Sequence, residues 1–168
     1  MYILGIDPGF GRLGYGIIEY RNNKFRTVEY GCITTPAKER LSLRLKKIEE
    51  DLEEVLSRNK IDEASIEDLF FNQNITTGIQ VAEARGVVLC TLEKHGIKIS
   101  EYTPLQVKQA LVGYGRAKKD QVEYMVKDIL KLDKMPKIDD TTDALAIAIC
   151  HANSNKYNSY LEKEIKKK

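Results

Sequence analysis

Carboxylates stand at three widely separated places in this 168-residue chain, each beside apolar residues that fold into a core. Asp7 closes the run Tyr2-Ile3-Leu4-Gly5-Ile6 and is followed by Pro8-Gly9. Glu67 closes the shorter stretch Ala64-Ser65-Ile66. Asp139, Asp140 and Asp143 gather just ahead of the apolar segment from Ala144 to Cys150. A charged group at the end of a buried strand is costly unless it has a partner such as a metal ion. Hard divalent cations such as Mg²⁺ favour carboxylate oxygens. Two of them ~3.5–4 Å apart can stabilise the attacking and leaving oxygens of a phosphodiester displacement. That chemistry needs three or four acids, delivered from different elements to one place. Asp140 and Asp143 are three apart and share a helix face; Asp139 and Asp143, four apart, share one equally well, so spacing does not choose between them. Taken singly, a helix-initial Asp is most simply an N-cap, and a strand-end acid a hydrogen-bond acceptor. Only the combination carries the metal reading, and Asp68 reads as solvent-facing.

The elements that must position these acids follow from periodicity. Tyr2–Asp7 reads as a buried strand, and Gly9-Phe10-Gly11-Arg12-Leu13-Gly14 as a glycine-rich turn. Tyr15–Tyr20 and Phe25–Thr34, separated by Asn22-Asn23, complete an antiparallel meander. From Leu41 the period changes: Leu41, Leu45, Ile48, Leu52, Val55 and Leu56 share one helical face. Residues 64–67 form a strand after that helix, which implies a crossover and parallel pairing. Phe70-Phe71-Asn72-Gln73-Asn74 reads as a loop, residues 75–95 as a helix ended by Gly96, and residues 98–102 as a fifth strand. Pro104 begins a helix at its first turn, Gly113-Tyr114-Gly115 breaks the chain, and helices are expected over 118–132 and 140–152. The Lys-rich segment beyond has no apolar periodicity and reads as a flexible tail. The expected division is therefore a domain over residues 1–154 and a tail over 155–168.

Composition narrows the class. Hydrophobic residues make up 42% and charged residues 31%, which suits a soluble globular domain. No apolar run approaches the ~20 residues of a membrane span, and no signal-like segment opens the chain. Three widely spaced Cys and two His give no zinc ligand set, and reduced thiols agree with a cytoplasmic setting. The net charge of +2 divides into +3 for residues 155–168 and −1 for the remainder. Any nucleic-acid surface must therefore be local. Residues 104–127 supply one candidate, with Lys108, Arg116, Lys118, Lys119 and Lys127 set against Asp120 and Glu123 around a glycine-flanked break.

Ile3-Leu4-Gly5-Ile6-Asp7-Pro8-Gly9, Gly14-Tyr15-Gly16, Ile66-Glu67, Ala84-Arg85-Gly86, Gln106-Val107-Lys108-Gln109 and Asp140-x-x-Asp143-Ala144-Leu145-Ala146-Ile147-Ala148 together resemble the RuvC Holliday-junction resolvases, in family order over residues 1–152. The resemblance implies an RNase H-like α/β fold: a five-stranded mixed sheet, three antiparallel strands then two parallel ones, flanked by helices. It implies a homodimer that nicks opposing strands of a four-way DNA junction, Mg²⁺-dependent, with two ions per site and Mn²⁺ as an alternative occupant. It also implies a branch-migration motor of the RuvA and RuvB type as partner. Carried over by motif, the metal-binding catalytic acids are Asp7, Glu67, Asp140 and Asp143; the Asp140-x-x-Asp143-Ala144-Leu145 match selects Asp140 over Asp139. Phe70 matches an aromatic that stacks near the crossover, though Phe70 and Phe71 can divide stacking and anchoring between them. Lys108 and Lys119 match DNA-contacting cations, and Arg116 and Lys118 extend that basic stretch. Arg85 is a further DNA candidate that could instead meet a carboxylate. The competing classes are an actin-like ATPase or sugar kinase, a junction-binding module without nuclease activity, and a nuclease of this fold on RNA or another branched substrate. The first normally needs two copies of the core, and the second is favoured only where an acid is missing.

Overall fold

The computed structural model describes residues 1–68 and 75–165. In chain order the elements are β1 (Tyr2–Asp7), β2 (Arg12–Arg21), β3 (Lys24–Thr34), α1 (Leu41–Arg58), β4 (Glu63–Glu67), α2 (Ile75–Lys94), β5 (Lys98–Tyr102), α3 (Pro104–Val112), α4 (Lys119–Leu130) and α5 (Asp139–Ile165). The strands form one sheet in the order β3-β2-β1-β4-β5. β1 pairs antiparallel with β2 and parallel with β4; β2–β3 is antiparallel and β4–β5 parallel. This is the RNase H-like mixed sheet expected from the sequence. Asn22 and Asn23, with φ of 53° and 59°, make the β2–β3 turn, as a tight hairpin of right-handed twist requires. Among the described residues no helix is long and apolar enough to cross a membrane.

Strand alternation sorts the side chains into two cores. Leu4 and Ile6 of β1 join Leu13, Tyr15 and Ile17 of β2, Ala64 and Ile66 of β4, and the apolar faces of α1 and α2. Ile3 and Ile18 point the other way, into a core with α3, α4 and α5. Asp7 follows Ile3 and Gly5 in this period of two, and Glu67 follows Glu63 and Ser65. Both acids therefore lie on the α5 side of the sheet.

α5 seats directly on strand backbone. A Cβ on Gly5 would stand 2.1 Å from the Ala144 carbonyl oxygen, and one on Gly14 only 1.9 Å from that of Asp140. Gly5 pairs with Gly16, and Gly14 with Asp7, so the glycines line one slot across β1 and β2. Ala144 through Cys150 are at most 1% exposed. Burial of Leu145, Ile147 and Ile149 contributes roughly 1.5–3 kcal/mol each. Farther along, His151 joins α5 to the sheet: its Nδ1 lies 2.8 Å from Tyr102 Oη and its Nε2 2.6 Å from Glu63 Oε2.

The helix boundaries differ from the sequence reading at two places. α4 stops at Leu130, where Lys131 takes a left-handed φ of 52°. α5 does not end near Ala152 but runs on to Ile165, into the segment expected to be a flexible tail. No Gly or Pro interrupts that stretch, and polar residues without periodicity still propagate a helix begun in the core. Arg44, on the helix whose other inward positions are apolar, is also buried at 7%. Its guanidinium lies 4.5 Å over the Phe10 ring, donating to the Phe10 carbonyl at 3.1 Å and to Thr35 Oγ1 at 2.8 Å. Those contacts pin the turn that follows Asp7.

Candidate active site

β1 and β4 run parallel with Ile3 opposite Glu63 and Ile6 opposite Ile66, so Asp7 and Glu67 leave the sheet at adjacent strand ends. Asp140 and Asp143 occupy the first turns of α5, where the helix dipole favours carboxylates. The Asp140 carbonyl rests on Gly14, the residue paired with Asp7. Four carboxylates from three parts of the chain, β1, β4 and α5, thus converge over one end of the sheet.

Their electrostatics record that crowding. Burial, then the charges of Glu67, Asp143 and Asp140, push the Asp7 carboxyl up to about 8, with Lys119 opposing. Burial and Asp143 raise Glu67 to about 7, against the pull of Lys108. Burial also raises Asp143, with Lys119 the chief opposing charge. Asp139 stands at the outer side of the cluster: its side chain is 72% exposed and bonded by Lys119 Nζ at 3.1 Å. Asp140 instead faces Arg12, whose Nε lies 3.6 Å away. The geometry thus separates the two neighbours that spacing left equivalent.

The donor set fits a hard divalent cation, because its ligands are carboxylate oxygens whose mutual repulsion only added positive charge can relieve. Among the described residues no three such groups already close on one point as a preformed cage. Lys119, reaching Asp139 and also Asp143 at 3.4 Å, brings positive charge to this cluster.

The DNA candidates separate by position. Lys108 lies beside Glu67 and Lys119 beside Asp143, both on the margin of the acidic cluster. Arg116 and Lys118 are exposed on the α3–α4 connection. Arg85 points elsewhere. Its side chain is 14% exposed, ion-paired with Glu101 of β5, and its Nε donates to the Glu67 backbone carbonyl at 3.4 Å. Of the two partners the sequence left open, the carboxylate is the one it meets. Phe70 and Phe71 lie outside the described residues. Sequence reasoning missed Arg12, which it read as part of a glycine-rich turn; the structure makes it the first residue of β2, where it meets Asp140.

Three comparisons bear on this site. The profile of the family described as "Crossover junction endodeoxyribonuclease RuvC" matches residues 3–151. A protein of that name from Clostridioides difficile is 53% identical over 166 residues, covering 99% of this chain and 96% of the relative. Among solved structures, "T. thermophilus RuvC in complex with Holliday junction substrate" superposes with a TM-score of 0.90 at 34% identity, covering 94% of this chain and 96% of that one.

Proposed function

The chain belongs to the RuvC family of crossover junction endodeoxyribonucleases, and from that premise we propose that it resolves four-way DNA junctions by paired, Mg²⁺-dependent nicks in recombination and repair. The observation that carries the reading is the convergence of Asp7, Glu67, Asp140 and Asp143 at the ends of β1, β4 and α5, with burial and mutual charge holding Asp7 near 8 and Glu67 near 7. Carboxyls in that range are protonated or partly so at neutrality, and surrender their protons when a cation enters.

Asp7 and Glu67 would hold the cation from the sheet, and Asp140 and Asp143 from α5. Mg²⁺ bound there, two ions to a site, would activate water and stabilise the leaving 3′ oxygen, giving 5′-phosphate and 3′-hydroxyl ends. Lys119 and Arg12 fix the carboxylates of α5 while the site is empty of DNA, and turn to phosphate when it arrives. Lys108, Arg116 and Lys118 continue that positive margin along the backbone, and Phe70 stacks on a base at the crossover. A homodimer places two such sites on opposing strands, and a motor of the RuvA and RuvB type feeds it the junction.

Cleavage of a labelled synthetic junction in Mg²⁺ tests the reading, with linear duplex and an RNA–DNA hybrid alongside. Symmetric nicks in the junction alone are expected. Asp7→Asn should lose at least 10³-fold in cleavage, on the order expected when metal-centred charge stabilisation worth several kcal/mol is removed, yet still bind junctions. Loss of binding together with cleavage would instead make Asp7 a structural residue.

A further inference from the structure

The connector from α4 to α5, residues 131–138, mixes two kinds of residue at one spacing. Lys131, Lys134 and Lys137 are exposed, while Leu132, Met135 and Ile138 are half-buried, with Leu132 packed on the second core. The inward set fixes the connector, and the outward set makes a row of cations. That row begins beside Phe25 and Thr27 of β3. It ends at the first turn of α5, where Thr141 Oγ1 donates to the Gly31 carbonyl at 3.2 Å. The connector therefore follows β3, the edge strand of the sheet, toward the acids. At the far end Arg26 shares a hollow with Lys131 and Lys134, and Lys24 opens the strand. At the near end stands Arg12, paired with Thr34 across the sheet and 3.6 Å from Asp140.

Much of this charge is uncompensated. On α1, Lys46 and Lys47 each meet a carboxylate one turn away, Glu50 and Asp51. Here Lys131 is paired with Asp128 and Arg26 with Glu19, but Lys24, Lys134 and Lys137 have no ion pair among the described residues. Asp133 is the one carboxylate on the connector. A fixed row of free cations that leads into a phosphodiester site suits a continuous polyanion.

We propose that this row is a track for the duplex arm that leads away from the cut. The proposal rests on the nuclease reading above and adds a second contact surface to it. Lys108 borders the acids beside Glu67 of β4, whereas Arg12 borders them from β2, so the DNA is gripped on both sides of the cleaved phosphate. The 11 residues of β3 span roughly 33 Å at ~3.3 Å per step. One turn of duplex is about 34 Å, so the track holds about ten base pairs of arm. Its contacts are to phosphate, which adds affinity without reading sequence.

The test is junction binding across a range of salt, with metal withheld so that nothing is cut. Arms of about 20 and about 5 base pairs bracket one helical turn. Each phosphate contact contributes about 0.9 to the slope of log affinity against log salt. Lys24→Gln, Lys134→Gln and Lys137→Gln combined should thus lower the slope by about 2.7. Wild-type protein should bind long arms about tenfold or more tighter than short ones, and the triple variant should bind both nearly equally. Lysine-to-arginine changes at the same positions should keep the wild-type slope. Lys134→Gln alone, expected to lower it by about 0.9, takes the place of the triple variant if melting shows that the latter is unfolded. Lys38→Gln, Lys46→Gln and Lys60→Gln combined remove three exposed lysines elsewhere, and an equal loss of slope from them overturns the proposal. A folded triple variant with wild-type slope and arm preference also overturns it, gives the row to an acidic protein instead, and leaves the nuclease reading standing. Wild-type protein that neither binds nor cuts a junction overturns both.

Discussion

Arg85 commits its guanidinium to the Glu67 carbonyl and the Glu101 carboxylate, tying α2 and β5 to the last residue of β4. Groups that orient a metal-holding carboxylate typically change metal affinity 10–100-fold when removed. Arg85→Met should therefore weaken binding of a luminescent lanthanide, used as a divalent-cation probe, by about tenfold or more, with Arg85→Lys recovering part of it. Unchanged affinity alongside a lower melting temperature would make Arg85 a packing residue only. The sequence presented Arg85 with two equivalent partners, because the choice depends on how α2 lies across β5, and no spacing within one element encodes that. Asp139 and Asp140 pose the same problem. Both begin a helix, and only the seating of that helix turns one toward Asp7 and leaves the other in solvent.

At the scale of elements, what was legible had a period. β1 and the apolar face of α1 repeat at 2 and about 3.6 residues, and the structure has them where the pattern put them. Gly14-Tyr15-Gly16 was visible as a motif, but its purpose was not, since it becomes a slot only once α5 lies in it. Gly14→Ala should force α5 off the sheet, because the new methyl would stand 1.9 Å from the Asp140 carbonyl oxygen. We expect at least a 100-fold loss of cleavage, equivalent to about 2.7 kcal/mol, with a clear drop in melting temperature. Gly86→Ala is the contrast. A Cβ there meets nothing within 4 Å, and relief of mid-helix glycine should stabilise by about 0.5–1 kcal/mol. Equal effects from the two substitutions would refute the slot. The reach of α5 to Ile165 was illegible for the opposite reason: its last turns have no period to read.

For the whole molecule, the acid cluster sets a dependence of stability on pH. Folding raises Asp7 from 3.8 to about 8 and Glu67 from 4.5 to about 7, so the folded chain holds these protons more tightly than the unfolded one. Stability contributed by such carboxyls falls as pH rises through the folded values. His151, which burial shifts downward, changes the balance only on the acid side. Metal-free protein should thus melt lower at pH 9 than at pH 7, with each kcal/mol worth roughly 2–4 °C in a chain of this size. Mg²⁺ at pH 9 should restore the difference, and Asp7→Asn should abolish most of it. A melting temperature flat between these pH values would deny the crowding. The net charge of +2 in the sequence conveyed none of this, because a sum over the chain does not record which charges folding brings together.

The order of the sheet also governs when the protein acquires its chemistry. β1 is the first strand made, yet it lies in the middle, between β2 and β4. The slot across it stays open until α5, the last element, is synthesised. A growing chain on the ribosome can complete the meander and its first core while half of the acids have yet to emerge. Contacts so distant in sequence form late, so docking of α5 is a single event that closes the second core and completes the site.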